Sequence, residues 1–508
     1  MTIPLQVVWF KRDLRIHDHQ PLLEASKRGP VLPLYVIEPR LWAEPDASKR
    51  QWDFCRECLQ DLQQQLTALG QPLVIRVGEP VAVLDTLFKQ GYIAKVWSHQ
   101  ETGNSFTYNR DRSVRRWLSQ QGIPRAESPS NGVIRRLHDR NGWARSWEKR
   151  MDQERLPAPE FLTKINDLSC ADELPTADDL GLGADLCPDR QRGGRKAALE
   201  LLHSFFDERG QDYARNLSSP LTAFHSCSRI SAHLAYGTVS MREVVQFARA
   251  RHSSRAFIER LHWHCHFIQK LESEPSLEIQ NAHRAYDGLR KTKPERLKAW
   301  ADGRTGWPFI DACMRALRHT GWINFRMRAM LMSVASYHLW IDWRDSGEIL
   351  ARLFVDYEPG IHWNQCQMQS GTTGINTVRI YNPIKQGLDH DPKGIFIRFW
   401  VPELSNVPLV HLHTPWTMNA KDQELARCVL GQDYPLPLID HEEAARQARD
   451  RIWGVRQGES YRREADAIQW KHGSRRHSGS RRGKQSRLKK QAPGQLSLDL
   501  GNPQTNSG

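Results

Sequence analysis

The first 135 residues alternate short apolar runs with polar segments of helical periodicity. The apolar runs have the length and composition of buried strands, and they are Gln6–Phe10, Val31–Ile37, Pro72–Val77 and Ala94–Ser98. Helical segments such as Gln51–Leu69 and Tyr108–Gln121 separate them. Strands that alternate with helices favour a parallel, doubly wound sheet. The sequence therefore predicts an α/β domain over residues 1–135.

One edge of this predicted sheet is a candidate ligand site, because ligands of such sheets bind at the carboxyl ends of the strands. The polar segment His99–Asn109 follows the fourth apolar run and is expected at that edge. No G-x-G-x-x-G follows any of the runs, so an ordinary dinucleotide-binding domain is not indicated.

After residue 135 the apolar pattern changes to that of helices. Residues 136–194 are predicted to form an interdomain linker, because their second half is rich in Asp, Gly and Pro. Residues 195–455 carry apolar residues at helical spacing, as in Phe309–Leu317 and Arg328–Ile341, and predict an all-α domain. Residues 456–508 are rich in Arg, Lys, Ser and Gly, which predicts a basic, disordered tail.

The charge of the chain indicates a polyanionic partner. The net charge is +14 and the pI is about 9.4, which is typical of proteins that bind nucleic acid. Part of this charge lies in the tail, where Lys471–Lys490 contains nine Lys or Arg and no Asp or Glu. The chain also has 18 tryptophans, whose rings suit stacking as well as core packing.

The sequence also argues against several classes of protein. No run of 18 apolar residues occurs, so no membrane span is expected. The N-terminus enters a strand pattern directly and lacks the regions of a signal peptide. Cys55 and Cys58 form a C-x-x-C without a second pair at zinc spacing, which does not predict a metal site. We therefore expect a reduced, cytoplasmic protein without a metal centre.

Four blocks of the sequence resemble the photolyase/cryptochrome family and occur in the family's order. They are VWFKRDLRIHDHQPL at Val8–Leu22, CSRISAHLAYG at Cys227–Gly237, the run Thr305–Trp343 with TGWPFIDACMRAL, TGWINFRMR and IDW, and RIYNPIKQGLDHDPKGIFIRFWVPEL at Arg379–Leu404. The resemblance covers nearly all of the chain up to Trp416. It implies a divergent bacterial branch of the family, with an α/β antenna domain and a helical domain that holds FAD and binds DNA.

The resemblance implies that the FAD site lies in the helical domain. Hydroxyls, a guanidinium and free N–H groups near a helix start suit a pyrophosphate, although Ser226 or Ser228 alone is more often a helix cap. Arg328 and Asp356 match an ion pair against the flavin ring, and Glu358 matches an acidic position beside it. The residues implied to bind the cofactor are Tyr213, Cys227, Ser228, Arg229, Ile230, Ser231, Arg260, Arg328, Asp356, Glu358 and His362.

Two activities are consistent with this resemblance. In a photolyase, reduced flavin absorbs blue light and passes one electron to a cyclobutane or (6-4) pyrimidine lesion that is flipped out of the duplex. In a cryptochrome, the flavin serves as a blue-light receptor without repair. The basic tail favours the first activity, and an altered lesion pocket favours the second. A DNA-binding flavoprotein without photochemistry is a third alternative.

The matched positions also imply a surface that binds DNA. Trp263 would stack on a flipped base. Arg326, Lys385 and Arg398 would contact phosphates, although each is equally consistent with an ordinary solvated cation.

The lesion pocket and the position beside flavin N5 depart from the family pattern. Arg260, Phe325 and Ala329 occupy positions that bind the lesion in typical members, and His362 replaces an Asn beside N5. His362 is therefore either a structural histidine or a group that protonates or stabilises flavin radicals.

The tryptophan chain that photoreduces the flavin is also incomplete. Only its middle member is present, as Trp343, because Cys366 and Arg290 occupy the inner and outer positions. Trp363 and Trp340 are candidate substitutes. The residues assigned to catalysis are thus Trp343, His362 and Trp263, while the lesion type and the electron route stay open.

Two further expectations concern an antenna pigment and a partner protein. Asn109 and Arg110 stand where folate-binding members have an Asn–Glu pair, so folate is disfavoured but folate and deazaflavin both remain candidates. In the tail, QLSLDL resembles the short motif that docks bacterial proteins on the sliding clamp, through Gln495, Leu496, Leu498 and Leu500. A chance match is the alternative.

Overall fold

The computed structural model describes residues 4–165, 173–251 and 255–473. The N-terminal region contains one parallel five-stranded sheet in the order β3-β2-β1-β4-β5. Its strands are β1 (Leu5–Phe10), β2 (Val31–Ile37), β3 (Val74–Val77), β4 (Ile93–His99) and β5 (Arg125–Ser128). Its helices are α1 (Gln20–Ser26), α2 (Pro39–Trp42), α3 (Lys49–Ala68), α4 (Pro80–Lys89) and α5 (Ser105–Gln120).

Apolar side chains on alternating positions bury both faces of the sheet. Val8 and Phe10 of β1 pack into one hydrophobic core, and Val7 and Trp9 pack into the core on the opposite face. Because the strand order reverses between β1 and β4, the carboxyl ends of these two strands form a crevice where ligands of such sheets bind. The predicted doubly wound α/β fold is confirmed.

The second region is helical, as the sequence predicted. Its first helices are α6 (Trp143–Met151), α7 (Arg195–Ser204), α8 (Tyr213–Asn216), α9 (Pro220–Ser226), α10 (Ser231–Ala235), α11 (Met241–Ala250), α12 (Arg255–Ser273) and α13 (Pro294–Ala301). They are followed by α14 (Pro308–Thr320), α15 (Phe325–Ser333), α16 (Trp343–Leu353), α17 (Pro359–Ser370), α18 (Pro383–His390), α19 (Ile395–Trp400), α20 (Leu409–Leu412), α21 (Ala420–Ala426), α22 (His441–Val455) and α23 (Glu459–His472).

Short 3-10 and π-helical turns join these helices. The π-helical turns are Phe205–Arg209 and Val334–His338, and the 3-10 turns are Pro275–Glu278, Arg284–Tyr286, Pro402–Leu404 and Pro415–Thr417.

Two helices lie in segments for which the sequence predicted none. α6 belongs to the predicted linker, and its Trp143, Trp147 and Met151 pack into a core shared with α11 and α12. α23 belongs to the segment predicted to be a disordered tail; that prediction is wrong for residues 459–472, which form a helix. This helix is held by an aromatic stack of Tyr461 on His283, with the ring centroids 4.1 Å apart. The rest of the predicted tail, from residue 474, lies outside the described residues.

Side chains of α3 join the α/β domain to the helical region. The buried Arg50 donates hydrogen bonds to the carbonyl oxygens of Leu317 and Leu353, and Gln51 donates to those of Ala351 and Phe354. Asp185 accepts two further hydrogen bonds from the Arg50 guanidinium. These contacts fix α3 against α14 and α16, and so they position the crevice of the sheet relative to the helices.

Within the described ranges, no helix is both long enough and apolar enough to span a membrane.

Candidate functional site

A cavity of about 280 Å³, here called the central cavity, opens among α8, α10, α12, α15 and α17. All of the residues that the sequence implied for cofactor binding line it, from Tyr213 and the 227–231 segment to His362. Whether they bind FAD stays a prediction, but the structure brings them together around one cavity. Its other lining residues include Trp322, Asn324, Gln365 and Gln369, which the motifs did not single out.

The 227–231 segment turns sharply at the wall of the cavity. α9 ends before Cys227, and Arg229 adopts a left-handed backbone conformation with φ 59°. The Arg229 guanidinium lies over the rings of Trp322 at 4.2 Å and Phe224 at 5.0 Å. Burial lowers its pKa to about 10, so Arg229 is still a cation at neutral pH. A cation held between rings at a cavity wall suits an anionic group such as a phosphate.

The predicted Arg328–Asp356 ion pair is present at the opposite side. The guanidinium donates two parallel hydrogen bonds to the Asp356 carboxylate, of 3.0 and 2.8 Å. The Arg328 Nε donates to the carbonyl oxygen of Ile323 at 2.7 Å, and the guanidinium lies 4.0 Å from the Phe354 ring. These contacts fix both charged groups, so they present a rigid, polar edge to a ligand.

His362 is buried and has a defined hydrogen bond. Its Nε2 lies 2.8 Å from the carbonyl oxygen of Gly347, so the neutral ring donates there and Nδ1 carries the lone pair. Burial lowers the pKa of His362 to about 4. The imidazole is therefore neutral at pH 7 and is held in one orientation, a geometry that suits the structural alternative and leaves Nδ1 as an acceptor.

Glu358 connects the cavity with the α/β domain. Its carboxylate lies 4.0 Å from the guanidinium of Arg12, which also donates to the carbonyl oxygen of Tyr357 at 2.7 Å. Burial raises the pKa of Glu358 to about 7, even though Arg12 opposes this effect. Arg12 belongs to the KRDLR turn after β1, and the motif gave no signal that it approaches Glu358 on the cavity wall.

Trp343 does not line the cavity. It is fully buried behind the wall, and its Nε1 donates to Oδ1 of Asn281 at 2.7 Å. The ring of Trp363 contacts both Trp343 and a residue of the cavity wall: its centroid is 5.9 Å from that of Trp343 and 4.8 Å from that of His362. Trp340, the other candidate substitute, lies instead beside Arg290 and Arg451.

The residues predicted to bind DNA have different surroundings. Trp263 lies on α12 but outside the cavity wall, with its ring packed against His266 and Phe267. Lys385 is exposed and pairs with Asp389 at 3.0 Å. Arg326 is half-buried. Arg398 donates its hydrogen bonds to the carbonyl oxygens of Leu404, Ser405 and Val407, so it already has a structural role.

The crevice of the sheet contains a second cavity, of about 90 Å³, here called the aromatic cavity. Its wall includes Trp9, Tyr35 and Trp42 from the α/β domain and Tyr236 and Tyr357 from the helical region. Arg110 also lines it, paired with Glu38, Glu101 and Asp111, whereas Asn109 lines a separate open pocket of about 420 Å³. The sequence signal for a site here was the polar segment after β4, whereas the aromatic residues of the wall were not singled out.

Two further groups of buried titratable side chains lie in the α/β domain: Asp13 with His19 and His99, and Cys55 with Cys58. Asp13 accepts hydrogen bonds from His19 and His99 at 2.9 and 2.7 Å. Although burial raises it, these two bonds hold the pKa of Asp13 well below its usual range. Burial raises the pKa of the Cys55 thiol to about 11, so it is a protonated thiol at neutral pH.

The central cavity fits a large, polar, aromatic cofactor. On its wall, four buried polar atoms have no hydrogen-bond partner among the described residues: Arg229 Nε, His264 Nδ1, Asn324 Oδ1 and Gln365 Oε1. Unsatisfied buried groups are costly, and a ligand with donors and acceptors would satisfy them. Phe257, Trp322 and Phe354 supply apolar surface between these groups. The Arg229 donor suits the phosphates of FAD, and the amide oxygens of Asn324 and Gln365 suit N–H and O–H groups of its rings and sugar.

A parallel α/β domain joined to a helical domain with such a cavity defines a class of two-domain proteins that hold a nucleotide cofactor. Residues 6–137 match the family described as DNA photolyase, and residues 257–454 match the FAD binding domain of DNA photolyase. A deoxyribodipyrimidine photo-lyase of Streptomyces griseus is 30% identical, over 86% of this chain and 97% of that protein.

Two further comparisons extend the range of relatives. A cryptochrome DASH of Gloeobacter violaceus is 27% identical, over 88% of this chain and 95% of that protein. An archaeal photolyase structure from Sulfolobus tokodaii with two FAD molecules is 25% identical and superposes with a TM-score of 0.75, over 88% of this chain and 99% of that chain. The chain belongs to the DNA photolyase/cryptochrome family.

Proposed function

We propose that the protein holds FAD in the central cavity and uses it, under blue light, to repair pyrimidine lesions in DNA. The observation that carries the proposal is the single cavity on which the matched residues, the Arg328–Asp356 pair and the unsatisfied polar atoms meet. When bound, reduced FAD supplies one electron to the lesion and takes it back after the dimer has split. The protein supplies binding, orientation and exclusion of water.

Each part of the cavity has a role in this proposal. Arg229, Ser228 and Ser231 bind the pyrophosphate. Arg328 and Asp356 hold the polar edge of the flavin ring, since the guanidinium offers donors and the carboxylate offers acceptors in fixed positions. Both carboxylate oxygens already accept hydrogen bonds from Arg328, so the Asp356 side chain is held in one orientation toward the ring.

DNA would bind at the mouth of the central cavity, where the basic side chains of Arg326 and Lys385 would meet its phosphates. The net charge of +14 favours association with the phosphate backbone. Trp263 and Arg326 would contact the lesion and its neighbouring phosphates, and Lys385 remains exposed for such a contact. Arg260, whose guanidinium lies 5.4 Å from the Phe325 ring, replaces an acidic group in the lesion pocket. This change points to a lesion that offers acceptors rather than donors to the protein.

The proposal is tested by illuminating the reduced protein with oligonucleotides that carry either a cyclobutane dimer or a (6-4) lesion. We expect light-dependent recovery of intact pyrimidines from one of them and none in the dark. Trp263→Ala should weaken binding of that lesion by about 1–3 kcal/mol through lost stacking. Trp453→Ala, at an exposed tryptophan outside the cavity wall, serves as the control.

A receptor without repair activity is the second candidate function. It is favoured by the lesion-pocket positions, where Arg260, Phe325 and Ala329 replace the residues of typical photolyases. If FAD binds and is photoreduced, yet neither lesion is repaired, the repair function is contradicted and the receptor function is supported.

We also propose that the aromatic cavity holds an antenna pigment. Its aromatic walls and its place at the carboxyl ends of the strands suit a planar chromophore. The engaged Arg110, in place of a free acid, favours a deazaflavin or a second flavin over folate. The two FAD molecules of the archaeal relative are consistent with a flavin at a second site.

The tail motif is proposed to dock on the bacterial sliding clamp. In an extended peptide Leu496, Leu498 and Leu500 alternate, so all three would face one apolar groove while Gln495 makes polar contacts. A peptide spanning Pro493–Leu500 should bind the clamp with a Kd on the order of 1 μM to 100 μM. The double substitution Leu496→Ala and Leu498→Ala should abolish binding, and absence of binding by the parent peptide would refute the motif.

A further inference from the structure

A small polar cleft between the two domains adjoins the central cavity. This interdomain cleft has a volume of about 50 Å³ and lies at the carboxyl ends of β1 and β4. Its wall is mostly polar, with Arg12, Glu101, Thr102, Ser130 and Asn131 among the lining residues. Thr102, Ser130 and Asn131 are partly exposed, so the cleft meets solvent at the loops that contain them.

Three residues line both the interdomain cleft and the central cavity: Leu234, His264 and Glu358. Leu234 has no titratable group. The Glu358 side chain is 12% exposed, and it is the carboxyl group at this junction. A proton that moves between the cleft and the central cavity would therefore pass Glu358 or His264.

The charges around Glu358 allow it to exist with and without its proton. Arg12 lies 4.0 Å away and stabilises the carboxylate, whereas burial and the nearby Glu101 favour the protonated form. The charged and titratable groups around this junction are Lys11, Arg12 and Asp13 after β1, His99 at the end of β4, Glu101 after it, Tyr236 after α10, His264 on α12, the Arg328–Asp356 pair and His362 on α17.

The other groups near the junction are poor proton donors. Asp356 has both oxygens bound to Arg328, and His362 has its Nε2 proton bound to the carbonyl oxygen of Gly347. Burial lowers the pKa of His264 to about 4, so this residue is a neutral imidazole at pH 7. Its Nδ1 has no partner among the described residues and can carry a proton only in transit.

We propose that Glu358 is the proton donor to the bound flavin and that the interdomain cleft is the route by which solvent restores its proton. The proposal rests on the proposed function, since it requires FAD in the central cavity. It assigns to Glu358 a role beyond its ion pair with Arg12, and to the cleft a role beyond separating the domains.

An added thiol gives its proton to solvent and is oxidised by one electron to a thiyl radical, and this electron would reach the flavin after illumination. The O–H bond of the Glu358 carboxyl then breaks, and its proton forms an N–H bond on the flavin ring. Arg12 stabilises the carboxylate that remains, and a proton from solvent restores the acid through the interdomain cleft. One electron and one proton are thus added to the flavin, and Glu358 is unchanged at the end.

The test follows the flavin spectrum of the full-length, FAD-loaded protein after a light pulse in the presence of dithiothreitol. Protonated and unprotonated one-electron-reduced flavins have different long-wavelength absorption, so the protonation rate can be read separately from electron transfer. Because the acid form is the donor and the pKa of Glu358 is raised to about 7 by burial, the rate should be maximal below pH 7. Above that value it should fall by about tenfold per pH unit.

Glu358→Gln should slow the protonation at least about tenfold and remove its dependence on pH, while the electron still arrives at the parent rate. Glu358→Asp should restore a pH-dependent rate. Glu243→Gln is the matched control, because Glu243 forms a buried pair with Arg195 and lines none of the described cavities. It should leave both rates unchanged.

Parent-like protonation in Glu358→Gln would overturn the proposal. If that variant does not retain FAD, the parent protein decides the question alone, because a protonation rate that is constant from pH 6 to 9 contradicts a donor of this kind. A parent protein that binds no flavin would instead refute the proposed function. The two failures are therefore distinguishable.

Discussion

Trp363 shows what individual residues add to the family pattern. Its ring contacts both His362 on the cavity wall and the buried Trp343, with centroid distances of 4.8 and 5.9 Å. The position that normally holds the inner tryptophan is Cys366, which cannot relay an electron as an aromatic ring does. Packing brings Trp363 into the gap, because its ring lies directly on Gly347, where a Cβ atom would be only 2.7 Å from the ring.

We therefore predict that Trp363 and Trp343 carry the electron that photoreduces the flavin. Trp363→Phe and Trp343→Phe should each slow photoreduction by at least about tenfold, measured as bleaching of the oxidised flavin under blue light with a thiol present. Trp340→Phe is the matched control, since Trp340 lies beside Arg290 rather than on this route. Parent rates in both Trp363→Phe and Trp343→Phe would show that the electron takes another path.

The sequence motifs identified most residues of the candidate site, but not the contacts that these residues make with other parts of the chain. Ser228, Arg229, Arg328 and Asp356 could be assigned because they stand in ordered blocks of matching sequence. Trp363 could be named only as one of two candidate substitutes, and Arg12 was not assigned to the site, since their roles depend on which side chains approach them in space. The same reason explains Arg398: its charge predicted a phosphate contact, whereas the fold has bound its guanidinium to three carbonyl oxygens.

Strands and helices were predictable where their apolar pattern is strong. The four predicted strands are present, and their ends differ by at most two residues from those expected. β5 was not predicted because RAES has no apolar run: this edge strand pairs only with β4 and is partly exposed. α23 was missed because it is largely polar; its position depends on tertiary contacts such as the Tyr461–His283 stack rather than on a continuous apolar face.

The helix predicted over Arg328–Ile341 shows a second limit of predicting helices from apolar periodicity. α15 ends at Ser333, and the chain continues as a π-helical turn from Val334 to His338. Apolar periodicity does not distinguish these two helical geometries, since residues 329–339 are all buried and show no exposed face. The change in pitch alters which residues of 334–341 face a given neighbour. It is one reason why the surroundings of Trp340 could not be expected from the sequence.

In the whole molecule, function depends on contacts between segments that are distant in the sequence. Arg50 and Gln51 bind carbonyl oxygens about 300 positions away, and Arg12 reaches Tyr357 and Glu358. These contacts place the crevice of the sheet beside the central cavity. An antenna pigment, a proton route and a flavin could therefore operate within one compact region. Composition and motifs predict the two domains, but only the folded chain shows how they meet.

The measurement that tests the central claim most directly is the amount of FAD released from the purified chain after reconstitution with FAD and denaturation. We predict one FAD in the central cavity of each chain, because that cavity combines the required groups, and a second FAD only if the antenna pigment is also FAD. Asp356→Asn should lower this occupancy at least about tenfold, since it removes a carboxylate held by two hydrogen bonds. Asp389→Asn, at an exposed pair with Lys385, should retain the parent value. A parent chain that binds no FAD, or an Asp356→Asn variant with undiminished occupancy, would contradict this assignment of the cavity.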